Sequence, residues 1–336
     1  MKKLNLYAPV PVLLLALAGC ATVDPQPSFD RVAADVADRS GHTITWTVDP
    51  ADQAAARNLL TEELTLDNAV RLALISSPEL QAQYQDLGIA EAAFVQAGLL
   101  SNPVFDVGYR EGGGESNFDL LLSFDFLDVF LIPVRKRQAA ADQRAAELRV
   151  TRAVLARVSE VRQAWIDAVA ARQRTAYMET GQHLLAALDG FAEALLQAGN
   201  ITRLERDRAH RRMLENQMLL EQARVDEAAA ADRLAVAMGT WGSIEFDLPD
   251  TLPELPGKEL STASLEQMAV DRSLELAVVR DQIESVAASL DLVDRTRLVP
   301  TLEVGWLAER EGGHWSDGPA VAFALPVLDT GKARTV

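Results

Sequence analysis

Leu99-Leu100-Ser101-Asn102-Pro103-Val104-Phe105-Asp106-Val107-Gly108 returns, about 200 positions later, as Arg297-Leu298-Val299-Pro300-Thr301-Leu302-Glu303-Val304-Gly305. In both stretches a helical pattern passes through proline into strict alternation. Upstream of the first, Leu80, Tyr84, Leu87, Ala90 and Phe94 recur at helical spacing over residues 79–100, and Pro103 marks the exit. Downstream, Phe105, Val107 and Tyr109 point one way, while Asp106, Gly108 and Arg110 point the other. A turn with Glu-Gly-Gly at 111–113 follows, and then Phe118, Leu120, Leu122, Phe124 and Phe126 alternate with Asp119, Leu121, Ser123 and Asp125. The second copy sets Leu302, Val304 and Trp306 against Thr301, Glu303 and Gly305. It turns at 311–313 and returns with Val321, Phe323 and Leu325 opposite alanines.

The likeness extends upstream. Leu64-Thr65-Leu66-Asp67-Asn68-Ala69-Val70 continues to Pro78-Glu79-Leu80, and Ser264-Leu265-Glu266-Gln267-Met268-Ala269 continues to Leu274-Glu275-Leu276. All these matches in one order define an internal repeat of helix followed by β-hairpin. Each strand is about 8–10 residues, near the 9–11 that a tilted crossing of a bilayer needs. A soluble sheet packed on helices is the alternative. Four strands do not close a barrel, and open edges are not tolerated in lipid. If the hairpins span a membrane, several chains must share one barrel, with Asp106, Asp119 and Asp125 facing its lumen and favouring cations there.

Between the hairpins, residues 135–198 contain no proline and only Gly181 and Gly190 as glycines. A continuous helix of that length extends about 95 Å, at about 1.5 Å per residue. Leu148, Val154, Leu155, Val158, Val161, Trp165, Ile166 and Val169 recur among many alanines, which predicts coiled-coil-like packing. Gly199-Asn200-Ile201-Thr202 reads as a glycine C-cap, a tight turn and a threonine N-cap, and Glu205 completes a capping box. The return helix runs to about Met238, where Gly239 stops it. A helical hairpin of this kind also occurs in scaffold proteins.

At the N-terminus, Lys2 and Lys3 precede an apolar run from Leu6 to Ala18 that closes on Leu17-Ala18-Gly19-Cys20. The run is too short for a membrane span and reads as a secretory signal. The ending resembles a bacterial lipobox, which implies a leader over 1–19 and acylation of Cys20. Cys20 is also the only cysteine, which leaves no intrachain disulfide. Residues 21–63 are rich in Ala, Asp, Gln and Pro and read as a tether, and 242–261 with Pro249, Pro253 and Pro256 as an irregular crossing.

Charge and chemistry narrow the function. A net charge of −17 opposes binding to nucleic acid or an anionic membrane surface, both of which need a basic face. His42, His183, His210 and His314 have no cysteine or histidine neighbours at ligand spacing, so no metal site is expected and each reads as a solvated surface group. Glu111-Gly112-Gly113-Gly114 lacks the lysine and helix of a phosphate loop. Arg203, Arg206, Arg208, Arg211 and Arg212 interleave with Glu205 and Asp207 as a solvated helix face. No catalytic residue and no cofactor is expected, and the chain does not read as an enzyme.

Taken in order, these features resemble the TolC-like outer membrane efflux protein family. The matches are the two repeat openers, the passages through Asn102-Pro103 and Val299-Pro300, and Ala198-Gly199-Asn200-Ile201-Thr202. Val36-Ala37-Asp38-Arg39-Ser40-Gly41-His42, followed by Trp46, is similar to its heavy-metal branch. The resemblance implies an α+β membrane protein: a lipid-anchored homotrimer in the outer membrane with a shared 12-stranded barrel. Helices would form a tunnel into the periplasm, with Gly199, Asn200, Ile201, Thr202, Arg203 and Leu204 at a tip that meets a periplasmic adaptor. The implied role is a passive exit duct for small solutes, metal cations or drugs, driven by an inner-membrane pump that runs on protons. A duct of a type I protein secretion system and a non-channel periplasmic scaffold lipoprotein are the alternatives.

On this reading the chain divides into the leader (1–19), a tether (20–63), a first repeat (64–239, with its hairpin at 103–126 and helices over 135–239), a linker (240–262) and a second repeat (263–336, with its hairpin at 300–326). Family members carry a second long helical pair after the second hairpin. Residues 326–334 resemble the approach to it, so the sequence is expected to be a fragment or a truncated product.

Overall fold

A computed structural model of the chain describes residues 22–46, 60, 62–112, 115–240, 246–255, 257, 264–296, 299 and 301–324. The expectations for the leader, Cys20, Gly113, Gly114, Pro256, Arg297, Leu298, Pro300, Leu325 and residues 326–334 lie outside the described residues. The elements in chain order are α1 (Gln26–Ser40), α2 (Leu66–Ser76), α3 (Pro78–Ala97), β1 (Val104–Gly112), β2 (Glu115–Asp125), α4 (Asp128–Gln197), α5 (Arg203–Ala237), α6 (Leu265–Arg272), α7 (Leu274–Thr296), β3 (Leu302–Glu311) and β4 (His314–Phe323).

The repeat is visible in its caps. Ser77 Oγ accepts from the Leu80 amide at 3.4 Å and donates to Glu79. Ser273 Oγ accepts from the Leu276 amide at 3.2 Å and donates to Glu275. The same Ser-x-Glu-Leu device therefore starts both helices that lead into a hairpin.

Two compact units are distinguished. The first comprises Met1–Phe29, Gln85–Arg149 and Arg272–Val336. Its centre is one antiparallel sheet in the order β1-β2-β3-β4, so the hairpins, far apart in sequence, join through β2 and β3. Gly312 and Gly313, with φ of +54° and +87°, make the two-residue turn between β3 and β4, where only glycine adopts such angles without strain. In the same unit α7 is tied to the start of α4 by Arg137–Asp291 at 2.7 Å and by Arg144 to Asp281 (3.0 Å) and Glu284 (2.6 Å). Leu276, Val279, Ile283, Val286 and Leu290, on another stripe of α7, are exposed.

The second unit comprises Asp30–Tyr84 and Val150–Asp271. Val150, Val154, Val158, Val161, Trp165 and Ala168 of α4 are buried at three- and four-residue steps, as a coiled-coil seam requires. Leu220, Ala223, Ala230 and Leu234 of α5 are also buried, and Thr175 of α4 donates to the Ala223 carbonyl at 3.3 Å. Asn216 of α5 donates to Gln182 at 2.8 Å and to the Met178 carbonyl at 3.3 Å, beside Gly181. Ala69, Val70, Leu72, Ala73 and Leu74 of α2 complete this core.

Three expectations are corrected. Residues 20–63 are not simply a tether: α1 is a helix whose Phe29, Val32 and Val36 are buried at three- and four-residue steps. Only three apolar side chains carry that periodicity, too few to stand out among alanines and aspartates. The long helix begins at Asp128 rather than near 135, and Pro133 lies inside it. At the sixth helical position this proline cannot bond to the Val129 carbonyl, and its ring crowds that oxygen, yet the helix continues past it. The third concerns His42, which is buried at 7% exposure rather than solvated, because α2 and α4 both supply charged partners to its ring.

Candidate functional site

The strand register separates two chemistries. Phe105 pairs with Leu122, Leu122 with Trp306, and Trp306 with Pro319. One step along, Phe124, Val304 and Val321 are aligned, and towards the turns Tyr109 pairs with Phe118. All these side chains stand on one face, because directly paired residues share a side of the sheet. Phe105, Val107, Tyr109, Leu122, Phe124, Trp306, Val321 and Phe323 are all exposed, between 45% and 63%. The aromatics gather at both ends of that face. Phe118 meets Trp315 edge-on at 6.2 Å near the turns, and Phe126 meets Phe124 at 6.4 Å and Phe130 at 5.5 Å near the helices. Six residues separate Phe118 from Phe124, about 20 Å of strand. An apolar band with aromatic rims at that spacing suits the lipid-facing side of a membrane barrel.

The opposite face carries the carboxylates. Asp106, Asp119 and Asp125 share it, as the alternation predicts. The register adds Glu309 directly opposite Asp119 and Glu303 directly opposite Asp125. The first hairpin's alternation exposed its own carboxylates to sequence reading, but which residues of β3 oppose them depends on a pairing across some 180 residues. Like charges directly opposite are unfavourable unless solvated or paired. Arg110 reaches across from β1 to Asp119, and Ser123 donates to Glu303 at 3.3 Å. Asp106 differs, because its cross-strand partner is Leu121, itself opposite Leu307. Gly305 belongs to this face for steric reasons: a Cβ there would lie 2.4 Å from the Leu122 carbonyl oxygen and 3.0 Å from Ser123 Cα.

Both edges of the sheet are open among the described residues, since β1 pairs only with β2 and β4 only with β3. Helices join the sheet through one buried carboxylate. Asp128, at the start of α4, accepts from the Ser101 amide (2.9 Å) and hydroxyl and pairs with Arg135 at 3.2 Å. Burial pushes its carboxyl up, but the Ser101 bonds and the Arg135 charge outweigh burial and hold it below the ordinary carboxylate value.

At the other end of α4 the predicted turn is formed. Gly199 has φ +75°, its amide bonds to the Leu196 carbonyl and the Asn200 amide to that of Leu195, both at 2.9 Å. That is the paired ending a C-terminal glycine permits. Thr202 Oγ1 accepts from the Glu205 amide at 3.3 Å, and Glu205 accepts from the Thr202 amide at 2.7 Å. Gly199, Asn200, Thr202, Arg203 and Leu204 are exposed and Ile201 is half-buried. Behind the turn, Arg206 pairs with Glu193 at 3.4 Å and His210 with Asp189 at 3.1 Å. No helix among the described residues is long and apolar enough to cross a membrane, and none of them gather as three or more metal-ligating groups.

For a chain with four antiparallel strands and a long helical hairpin, comparison with solved structures is decisive for the fold. The CusC structure, described with transmembrane channel formation, superimposes with a TM-score of 0.65 at 14% identity, over 81% of this chain and 68% of that one. The CmeC outer membrane channel of Campylobacter jejuni gives 0.64 at 13% identity, over 87% and 67%. The VceC outer membrane protein of Vibrio cholerae gives 0.62 at 15% identity, over 80% and 70%. The chain has a TolC-like fold. No family model and no curated protein matches the chain. Within the TolC-like fold, the candidate site comprises the two-faced sheet and the capped turn.

Proposed function

We propose that this chain is a wall segment of a passive outer-membrane efflux duct belonging to the TolC-like family, in which three copies complete one barrel. The supporting observation is the sheet itself. Its exposed face is apolar, its other face carries Asp106, Asp119, Asp125, Glu303 and Glu309, and both edges lack partners among the described residues. Lipid satisfies the first face, water and solute the second, and neighbouring copies the edges. Three copies of four strands make twelve, with the strands crossing an outer membrane and Cys20 acylated in its inner leaflet. Apolar stripes left open on the helices, Tyr177, Leu184 and Phe191 on α4 and Leu214, Met218 and Val225 on α5, suit packing against further helices of the assembly.

In the same proposal the turn 199–204 docks a periplasmic adaptor that links the duct to a proton-driven inner-membrane pump. From residue 64 on, the segments are those of the sequence division: first repeat to 239, linker to 262, second repeat beyond. The carboxylate face makes the duct prefer small cationic solutes over anions.

The test is conductance of the purified mature protein in a planar bilayer. The expected result is a detergent-stable trimer whose cation preference drops when Asp119 and Glu309 are both replaced by their amides. A monomeric, freely water-soluble protein with the sheet's phenylalanines shielded would overturn the proposal.

A further inference from the structure

Pro319 stands in β4, an edge strand of the sheet, directly opposite Trp306. The turn decides which way its nitrogen points. Glu311 and His314 close the hairpin across Gly312 and Gly313, and the closing pair of a two-residue turn is hydrogen-bonded. Bonded and non-bonded pairs then alternate. Glu309 with Ser316 and Leu307 with Gly318 are bonded; Ala308 with Asp317 and Trp306 with Pro319 are not. Pro319 therefore costs β3 no bond, and its nitrogen faces the open edge, as do the backbone groups of Trp315, Asp317, Val321 and Phe323. On the other edge strand Gly112 closes with Glu115, so Phe105, Val107, Tyr109 and Glu111 face outwards from β1 in the same way.

β1 and β4 run in opposite directions, so β4 of one copy meets β1 of the next antiparallel. Followed across one chain, Val107 lies level with Leu120, Ala308 and Asp317. In a barrel the ladder reaches the next copy displaced, and by an even number of residues, or the two faces would be exchanged. The direction is set by chirality. Seen from the apolar side with the turns up, a viewer-facing residue on a rising strand directs its N–H and C=O to the right, so β2, β3 and β4 lie successively to the left of β1. Barrel strands lean right as they rise, so the ladder climbs towards the turns as it runs left. With about 4.8 Å between strands and about 3.3 Å per residue, displacements of two, four and six give tilts of roughly 19°, 35° and 46°. Two is far below the about 35–45° of outer-membrane barrels. Six would set Val104, Phe105 and Asp106 beyond Phe323, where β4 ends, and lipid offers their backbone no partner.

We propose that copies join in the register of four, with Pro319 of one copy opposite Tyr109 of the next. This inference rests on the shared barrel of the proposed function. Phe323 then meets Phe105 and Val321 meets Val107 on the apolar face, where all four are exposed in the single chain. On the other face Ala322, Ala320 and Gly318 meet Asp106, Gly108 and Arg110, so small residues lie beside the Arg110 side chain, which is 71% exposed. The Tyr109 carbonyl, which Pro319 cannot serve, lies at the aromatic rim near the turns, within reach of water. Asp317 comes opposite Glu111 beyond that rim, where both are solvated and Asp317 already accepts from the Trp306 indole at 3.1 Å. A slip to the register of two would instead orphan the Val107 carbonyl inside the apolar band.

Paired cysteines in the mature chain, oxidised in the membrane, test the register. Within one chain Val107 and Val321 are three strand spacings apart, about 14 Å, so a disulfide between them joins two copies. Val107→Cys with Val321→Cys should convert most of the protein to covalent dimers and trimers. Phe105→Cys or Tyr109→Cys with Val321→Cys should not, because a diagonal pair lies about 7–8 Å apart, beyond disulfide reach. If the first double variant fails to assemble, Phe105→Cys with Phe323→Cys reads the same register. A trimer whose expected pairs stay unlinked overturns the register and leaves the barrel standing. A chain that remains monomeric overturns both.

Discussion

The indole N–H of Trp165 donates to the Leu64 carbonyl across 2.8 Å, with Trp165 4% exposed and Leu64 fully buried. The Leu64 amide bonds in turn to the Asp247 carbonyl at 2.7 Å, and Arg172 fixes Asp247 through a 2.7 Å ion pair. One aromatic residue of α4 thus holds the strand-like entry to α2 and, through it, the irregular segment after α5. Replacing Trp165 with Phe keeps most of the ring and leaves a buried carbonyl unpaired, which costs about 1–3 kcal/mol. Thermal unfolding followed by near-UV circular dichroism should show Trp165→Phe melting several degrees lower. Trp315→Phe, on the exposed face, should be nearly neutral.

Gly305 and Gly318 sit in neighbouring strands and predict opposite outcomes. A methyl at 305 would overlap the β2 backbone, whereas one at 318 meets nothing within 4 Å. Gly305→Ala must push β2 and β3 apart and interrupt the joint between the hairpins. Expected results are a loss of β signal and of membrane-inserted protein for Gly305→Ala, and wild-type levels for Gly318→Ala. Equal behaviour of the two would mean that the 2–3 register is not the one described.

How much was readable in advance follows from range. Alternation in β1 to β4, the glycine turn at 312–313, the capping box at Thr202 and Glu205, and the glycine stops at 199 and 239 are decided within a few residues, and sequence reading placed them. The Ser77 and Ser273 caps repeat for the same reason. By contrast, Glu309 opposite Asp119 requires knowing how two hairpins pair across the whole helical insert. His42 looked like one more polar tether residue because its burial depends on Arg162, some 120 positions away. Helix α1 escaped because alanines and aspartates dilute three buried apolar side chains. The start of α4 is placed too late by the proline-free run that begins at 135, because the helix continues through Pro133 from Asp128.

Asp128 gives the junction between sheet and helices a defined acid limit. Its carboxyl is held below the ordinary value, so its contribution is complete above that value and disappears as pH falls below about 4. Asp128→Asn removes the charge that Arg135 and Ser101 address, at a cost of about 1–3 kcal/mol near neutral pH. Urea midpoints measured from pH 7 down to about 3 should show a gap between wild type and Asp128→Asn that closes only in the most acid samples. A gap constant with pH would show that the carboxylate charge contributes nothing.

The turn between α4 and α5 separates local from global stability. Gly199 holds φ +75° in open space, so Gly199→Ala meets no neighbour and costs only the backbone strain of a side chain there, about 1 kcal/mol. Thr202→Ala removes the acceptor for the Glu205 amide and disrupts the reciprocal box, about another 1 kcal/mol. Both changes act at an exposed end, while the α4 seam from Val150 to Ala168 lies more than 30 residues away along the same helix. The losses should therefore appear as fraying of the last turn of α4 and the first of α5. Hydrogen exchange over 195–206 should accelerate roughly fivefold in each variant, and the global melting temperature should move by no more than a degree or two. Under the proposed function the same variants weaken capture by the adaptor and leave bilayer conductance unchanged, so pull-down and conductance on one preparation separate docking from transport. If both fall together, the turn acts on the duct as a whole and not as a docking tip.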